Sequence, residues 1–347
     1  MKKVIFVFLF LLFLVLIFFV PIFFKNNFVI KRLDEGVPRP KPLLVYTFDN
    51  LKKVKFPQNQ IVVDRLVEEN EDFISQIFYF SVPEKPGSQI MKKVSGMLNV
   101  PKKAGEYPVL VMLRGFVPHE VFQSGMGTQP SARIFARNGF ITLAPDFLGF
   151  GESDEPAADG FEDRFQTYTT TLTLLSSLPT LNASLEASYS GEIKANTKKV
   201  GLWGHSNGGH IALAVLAVTS QAYPTVLWAP VSKSFPYSIL YYTDEFEDQG
   251  RSLRKALADF EENYDTELFS LLNYFKDVKA PFSLHQGAND EEVPVWWSNE
   301  LVDLLKKADL DITYTVYPNA DHNLQPGGWN EAVNQSIDFY QRYIKNK

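Results

Sequence analysis

The 347-residue chain contains no cysteine. Disulfides, thiolate nucleophiles and cysteine-bound zinc are therefore excluded, while every redox compartment stays open. Histidine is scarce too: with five in the whole chain, few side chains compete for any imidazole role. No Lys/Arg-rich stripe interleaved with aromatics is present, and the formal net charge is −6, so no nucleic-acid partner is expected. The run Gly149-Phe150-Gly151-Glu152-Ser153-Asp154 lacks the third glycine of a dinucleotide fingerprint, and no metal-ligand cluster emerges. Neither cofactor nor metal is expected. Internal repeats are absent, and the first alanine, Ala104, comes too late to supply a small-residue signal-peptidase site.

What is there begins with enough apolar material, 45% of residues against 21% charged, to bury one large core. From Pro108 onward, short β-rich runs alternate with helical stretches, the pattern of an α/β fold whose mostly parallel central sheet has helices on both faces. Ahead of it, Ile74–Val82 and Lys92–Val100 read as strands joined by a turn at Pro86-Gly87, forming an antiparallel N-terminal edge of the same sheet.

Gly204-His205-Ser206-Asn207-Gly208 follows the apolar run Lys199–Trp203 and precedes the small-residue helix pattern from Gly209 to Val218. A strand, a sharp turn carrying a serine, and a helix lift Ser206 clear of the sheet, where a base can take its proton. Gly204 and Gly208 lack the side chains that would block so tight a turn. Chain order Ser, acid, His then selects the partners. Asp290 stands in a glycine turn after the strand around Phe282–Gln286, and it would hold the base in one tautomer. The other usual place for this acid, the tip of the strand Thr225–Pro230, offers no carboxylate. His322 follows the strand around Thr313–Tyr317 and is the expected general base. The remaining histidines have blander readings: His205 in the turn, His210 on the next helix, His285 inside a strand, His119 in the loop after the first central strand. The oxyanion needs two backbone N–H donors. Asn207, just after the serine, would supply one, and Phe116 in Arg114-Gly115-Phe116-Val117 the other, with Gly115 allowing close approach.

Several segments in order carry a resemblance: Val94–Pro101, Asn138–Asp146, Gly149–Ser153, Gly204–Gly209, Gly287–Pro294 and Ala320-Asp321-His322. The chain resembles α/β-hydrolases of the prolyl-oligopeptidase (S9) and dienelactone-hydrolase-like group over roughly residues 94–347. Arg114 departs from the pattern, since members of that group often carry histidine before the glycine. There is also no room for the β-propeller of full-length prolyl oligopeptidases. The resemblance implies an α/β-hydrolase fold and a serine hydrolase that cleaves ester or peptide bonds of a small-molecule or peptide substrate through an acyl-enzyme. Alternatives that use the same features are an acyltransferase and a catalytically silent, membrane-tethered binding protein.

Residues 231–280 lie where such folds build a helical lid. Phe235, Tyr237, Tyr241, Tyr242 and Phe246 are candidates to line an apolar pocket, and Asp244, Glu245, Glu247 and Asp248 to disfavour anionic substrates, with ordinary helix packing as the competing reading.

The N-terminus carries a separate signal. Every one of the 21 residues from Val4 to Phe24 is apolar, long enough at about 1.5 Å per residue to cross a core of about 30 Å. The expected organisation is a transmembrane signal anchor at 1–24, a Pro-rich tether at 25–42, and a catalytic domain at 43–347. Lys2 and Lys3 favour a cytoplasmic N-terminus, whereas Lys25, Lys31 and Arg32 oppose it. The expected outcome is a single-pass membrane protein with an extracytoplasmic catalytic domain.

Overall fold

The stretch Val109-Leu110-Val111-Met112-Leu113 is apolar at both parities, as a strand covered on both faces must be. All five side chains are buried, and they divide by parity between two cores. The computed structural model describes residues 40–345, of which 43–345 belong to one compact unit. The expected membrane anchor, and all but the last three residues of the expected tether, lie outside the described residues. Among those described, no helix is long and apolar enough to cross a membrane.

Nine strands form one sheet: β1 (Val62–Glu69), β2 (Phe73–Pro83), β3 (Met91–Pro101), β4 (Gly105–Leu113), β5 (Ile141–Pro145), β6 (Ile193–His205), β7 (Thr225–Trp228), β8 (Phe282–Gly287) and β9 (Ile312–Tyr317). The helices are α1 (Phe48–Leu51), α2 (Gln129–Arg137), α3 (Gly160–Ser177), α4 (Leu181–Tyr189), α5 (Asn207–Thr219), α6 (Tyr237–Leu240), α7 (Arg251–Glu261), α8 (Val295–Lys307) and α9 (Trp329–Tyr340). The sheet order is β1-β2-β3-β5-β4-β6-β7-β8-β9. Pairing is antiparallel from β1 to β5 through β2 and β3, and parallel from β5 to β9.

Side-chain alternation explains the layers. Val109, Val111 and Leu113 join Leu202, Leu227 and Leu284 under α3, α4, α5 and α8, whereas Leu110 and Met112 join Trp203, Val226 and Trp228 under α2 and α9. Helices thus cover both faces, as expected. The two antiparallel edge strands expected from the sequence fall within β2 and β3. β1 is an addition outside them: its Asp64, Arg65, Glu68 and Glu69 mask the strand pattern, because this edge strand is mostly exposed.

The stretch 231–280 is helical, with α6, α7 and 3-10 turns at Thr243–Glu245, Thr266–Phe269 and Leu271–Asp277. Phe235 does not line an open pocket. It is buried among Phe161, Phe165, Phe260 and Phe269, with ring centroids 5.3–6.3 Å away. Tyr237, Tyr241 and Tyr242 gather around Trp297, and Tyr237, Tyr241 and Phe246 are partly open to solvent.

Parallel strands β4 and β6–β9 bring their carboxyl ends to one edge, and the loops that follow them meet there. Such an edge is where open α/β sheets build sites.

Candidate active site

Ser206 stands between the end of β6 and the first residue of α5, with φ 55° and ψ −122°. A positive φ is strained for serine, by about 1–3 kcal/mol, and persists only where neighbours over-determine it. They do so here. The Ser206 N–H donates to the Trp228 carbonyl at 2.9 Å, and the Ser206 carbonyl accepts from Gly209 N and Val231 N, each at 3.0 Å. A Cβ on Gly208 would lie 1.9 Å from the Leu113 carbonyl oxygen, so only glycine lets α5 start this close to β4.

The loop after β4 closes on the serine from the other side. A Cβ on Gly115 would lie 2.8 Å from Ser206 Cβ and 3.4 Å from Ser206 Oγ. This brings the Phe116 peptide beside the serine while the Phe116 ring stays 82% exposed. Asn207 is the first residue of α5, so its N–H has no acceptor inside the helix. Asn207 thus follows Ser206 directly, and Phe116 follows the glycine that packs against it.

The acid and the base are tied together directly. His322 Nδ1 lies 2.9 Å from Asp290 Oδ2 and 3.1 Å from Oδ1. Asp290 is buried and held by three donors: Oδ1 accepts from Glu292 N at 3.0 Å and Val293 N at 2.8 Å, and Oδ2 accepts from Gln286 Nε2 at 2.8 Å. Gln286 is itself held, since its Nε2 also donates to the Val293 carbonyl and its Oε1 accepts from Ser298 Oγ. The two loops are joined through their backbones, with Ala288 N donating to Tyr317 O and Asn289 N to Ala320 O, each at 2.9 Å.

His205 links the serine to this pair. Its ring lies 4.7 Å from the His322 ring, and its Nε2–H donates to the His322 carbonyl at 3.0 Å. Burial, then the neighbouring His322, pull its pKa down to about 4, so it stays neutral at physiological pH. Among the described residues no hydrogen bond joins Ser206 Oγ to His322. The contact that catalysis needs is commonly long without substrate and shortens when substrate binds.

Arg114 lies behind Gly115. Its guanidinium is buried, 4.1 Å from the Phe150 ring centroid, 4.6 Å from that of Phe122 and 5.5 Å from that of Phe147. Nη1 donates to Gly115 O at 3.0 Å and Nη2 to Asp146 O at 2.9 Å, while Nε is buried without a partner among the described residues. Burial, offset in part by Asp146 and Asp163, lowers its pKa to about 10, which leaves it charged at neutral pH.

The other histidines are structural. His210 bridges Val231 O and the Tyr168 hydroxyl, His285 bridges the Ser283 and Tyr317 hydroxyls, and burial drops both to about 3. His119 contacts the Gly149 carbonyl and the Phe150 ring. A groove of about 630 Å³ lined by Lys55, Phe56, Leu172, Leu175 and Tyr223 lies near the end of α5 and the start of β7, away from Ser206. No group of metal ligands occurs among the described residues.

A model of the prolyl oligopeptidase family matches residues 181–347, and a chlorophyllase model matches residues 81–227. The chain has the α/β-hydrolase fold and is similar to the prolyl oligopeptidase family over residues 181–347. The chain is 28% identical over 257 residues to a probable dipeptidyl peptidase 4 of Aspergillus flavus, a match covering 70% of this chain and 30% of that protein. Its matches span less than a third of the length of the curated relatives. In fold it is similar to acetyl xylan esterase 1 of Thermoanaerobacterium sp. JW/SL YS485, with TM-score 0.56 and 15% identity over 88% of this chain and 96% of that one. The acetyl xylan esterase of Paenibacillus sp. R4 gives TM-score 0.55 and 17% identity over 87% and 96%.

Three side chains packed around these residues were not singled out from sequence: His205 against His322, Gln286 beneath Asp290, and Arg114 behind Gly115. Position could have flagged His205 and Arg114, which adjoin the serine and the oxyanion glycine. Gln286 carries a weaker signal, a buried amide inside an apolar strand.

Proposed function

We propose that this chain hydrolyses ester or peptide bonds of small-molecule or peptide substrates through Ser206, His322 and Asp290. The observation that carries the reading is the His322–Asp290 pair beside a serine held at positive φ, with the Gly115 loop against it. Ser206 Oγ attacks the carbonyl carbon while His322 Nε2 takes its proton. Asp290, anchored by three donors, keeps the Nδ1–H pointing at itself and stabilises the imidazolium. The carbonyl oxygen becomes an oxyanion and receives the N–H groups of Asn207 and Phe116. As the intermediate collapses, the C–O or C–N bond breaks and His322 gives its proton to the leaving group. Water, deprotonated by His322, then attacks the acyl-enzyme and frees Ser206.

The test is a two-panel assay: p-nitrophenyl acetate and butyrate as esters, dipeptidyl p-nitroanilides with proline before the scissile bond as amides. Turnover of either panel that disappears in Ser206→Ala supports the reading. A folded wild type inert to both, or one whose activity survives that substitution, removes it.

For the stretch 231–280 we propose a cover over the substrate pocket, with Tyr237, Tyr241 and Phe246 presented to the substrate. For residues 1–24 we propose a single-pass anchor with the catalytic domain outside the cytoplasm, supported by the uninterrupted apolar run. Protease added to intact cells should digest the domain. A domain that survives until the cells are lysed contradicts this orientation.

A further inference from the structure

A buried arginine that pairs with no carboxylate is expensive to keep. Among the described residues no acid reaches the Arg114 guanidinium at salt-bridge distance, and its Nε finds no acceptor. Methionine, of similar length, would fill the cage of Phe122, Phe147 and Phe150 without that desolvation cost. Packing alone therefore does not account for a guanidinium here. Its fork does something methionine cannot: it grips two backbone carbonyls from different loops, Gly115 O after β4 and Asp146 O after β5.

The grip on Gly115 has a directional consequence. In a trans peptide the C=O and the following N–H point opposite ways within one plane. Fixing Gly115 O on the guanidinium therefore leaves the Phe116 N–H pointing away from Arg114 in that plane. The same peptide abuts Ser206, since a Cβ on Gly115 would sit 3.4 Å from Ser206 Oγ. A second anchor is needed because the loop beyond is glycine-rich and open: Phe116 is exposed, and Gly125 and Gly127 take φ of 84° and 82°. The tie to Asp146 supplies it. Asp146 is itself fixed by hydroxyl donors, Ser95 Oγ at 2.7 Å and Ser124 Oγ at 2.6 Å.

We infer that Arg114 is the positioning residue of the oxyanion site, holding the Gly115–Phe116 peptide so that the Phe116 N–H stays aimed at the space before Ser206. The inference rests on the proposed reading of Ser206 as nucleophile. Arg114 is buried behind that peptide, so its loss should slow the chemical step and leave ground-state binding alone.

The experiment measures kcat and KM on p-nitrophenyl acetate for wild type, Arg114→Met and Arg114→Lys. It also measures the Ki of an aryl trifluoromethyl ketone, which adds Ser206 Oγ to its carbonyl and places an oxyanion in the site. Arg114→Met should lower kcat by about 10- to 100-fold, short of or equal to deleting an oxyanion donor, with KM unchanged within about threefold. Ki should rise by the same factor as kcat/KM falls. Arg114→Lys, which keeps a charge but cannot span two carbonyls, should fall between. If Arg114→Met does not fold by near-ultraviolet circular dichroism, the folded Lys variant decides by the same two readouts. Unchanged kcat, or a loss confined to KM, overturns the positioning role while Ser206 chemistry stands. A wild type that neither turns over esters nor binds the ketone removes both readings together.

Discussion

Asp290 meets His322 Nδ1 with Oδ2 at 2.9 Å, while two backbone N–H groups, from Glu292 and Val293, fix Oδ1. The arrangement dictates what asparagine would do there. Its oxygen must take the Oδ1 place to satisfy those amides, so its NH2 faces both Gln286 Nε2 and His322 Nδ1. Donor then meets donor, and His322 is driven to the tautomer with the proton on Nε2, which cannot accept one from Ser206. Asp290→Asn should lower kcat by about 10⁴ with KM little changed, as wrong-tautomer substitution does elsewhere. Steady-state kinetics check this. A loss under about tenfold would mean that Asp290 does not set the tautomer.

Gly287 ends β8 beneath the loop that carries His322. A Cβ there would sit 2.2 Å from Asp321 O and 2.4 Å from Ala320 O, both backbone atoms. Gly287→Ala must therefore push that loop outward, costing about 1–3 kcal/mol of stability by overpacking and displacing the base from Ser206. We expect a lower chemical denaturation midpoint together with a fall in kcat of at least about tenfold, since misplacement by about 1 Å can cost 10²-fold. A variant as active as wild type would show that the loop's seat on Gly287 is unimportant.

Acid should weaken the fold through the buried His210 and His285 and the half-buried His205. In the native state His205 is held near 4, and His210 and His285 near 3, against 6.5 when unfolded. Below pH 6.5 the unfolded chain binds protons that the native one refuses, so stability is full above that value and drains as pH falls toward those native values. The limiting slope is about 1.4 kcal/mol per pH unit for each histidine. Urea midpoints measured from pH 7 to 4.5 should fall steadily. His285→Gln, which keeps a neutral polar group between Ser283 and Tyr317, should make the decline shallower. A flat profile would mean that these rings are not kept neutral.

Much of the fold was legible because each central strand is a short apolar run between helical stretches, and Ser206, Asp290 and His322 each follow such a run. Their chain order placed the pair that the structure brings within hydrogen-bond distance. The edge strand β1 was hidden because an exposed strand need not alternate, and charges at Asp64, Arg65, Glu68 and Glu69 mask it. Phe235 stays a candidate for either pocket or core because an aromatic residue in a helical insertion reads alike whether it faces substrate or core. Its neighbours, Phe161 to Phe269, come from distant segments that spacing does not connect. Arg114, Gln286 and His205 also make contacts that spacing does not reveal, with Asp146, Asp290 and His322 respectively.

The account stands most directly on Ser206 as an activated nucleophile. Incubating the folded protein with a fluorophosphonate, then mapping the adduct by mass spectrometry, should place one phosphonyl group on Ser206, with labelling lost in Ser206→Ala and slowed in His322→Ala. No adduct on well-folded wild type, or an adduct that persists in Ser206→Ala, would contradict it.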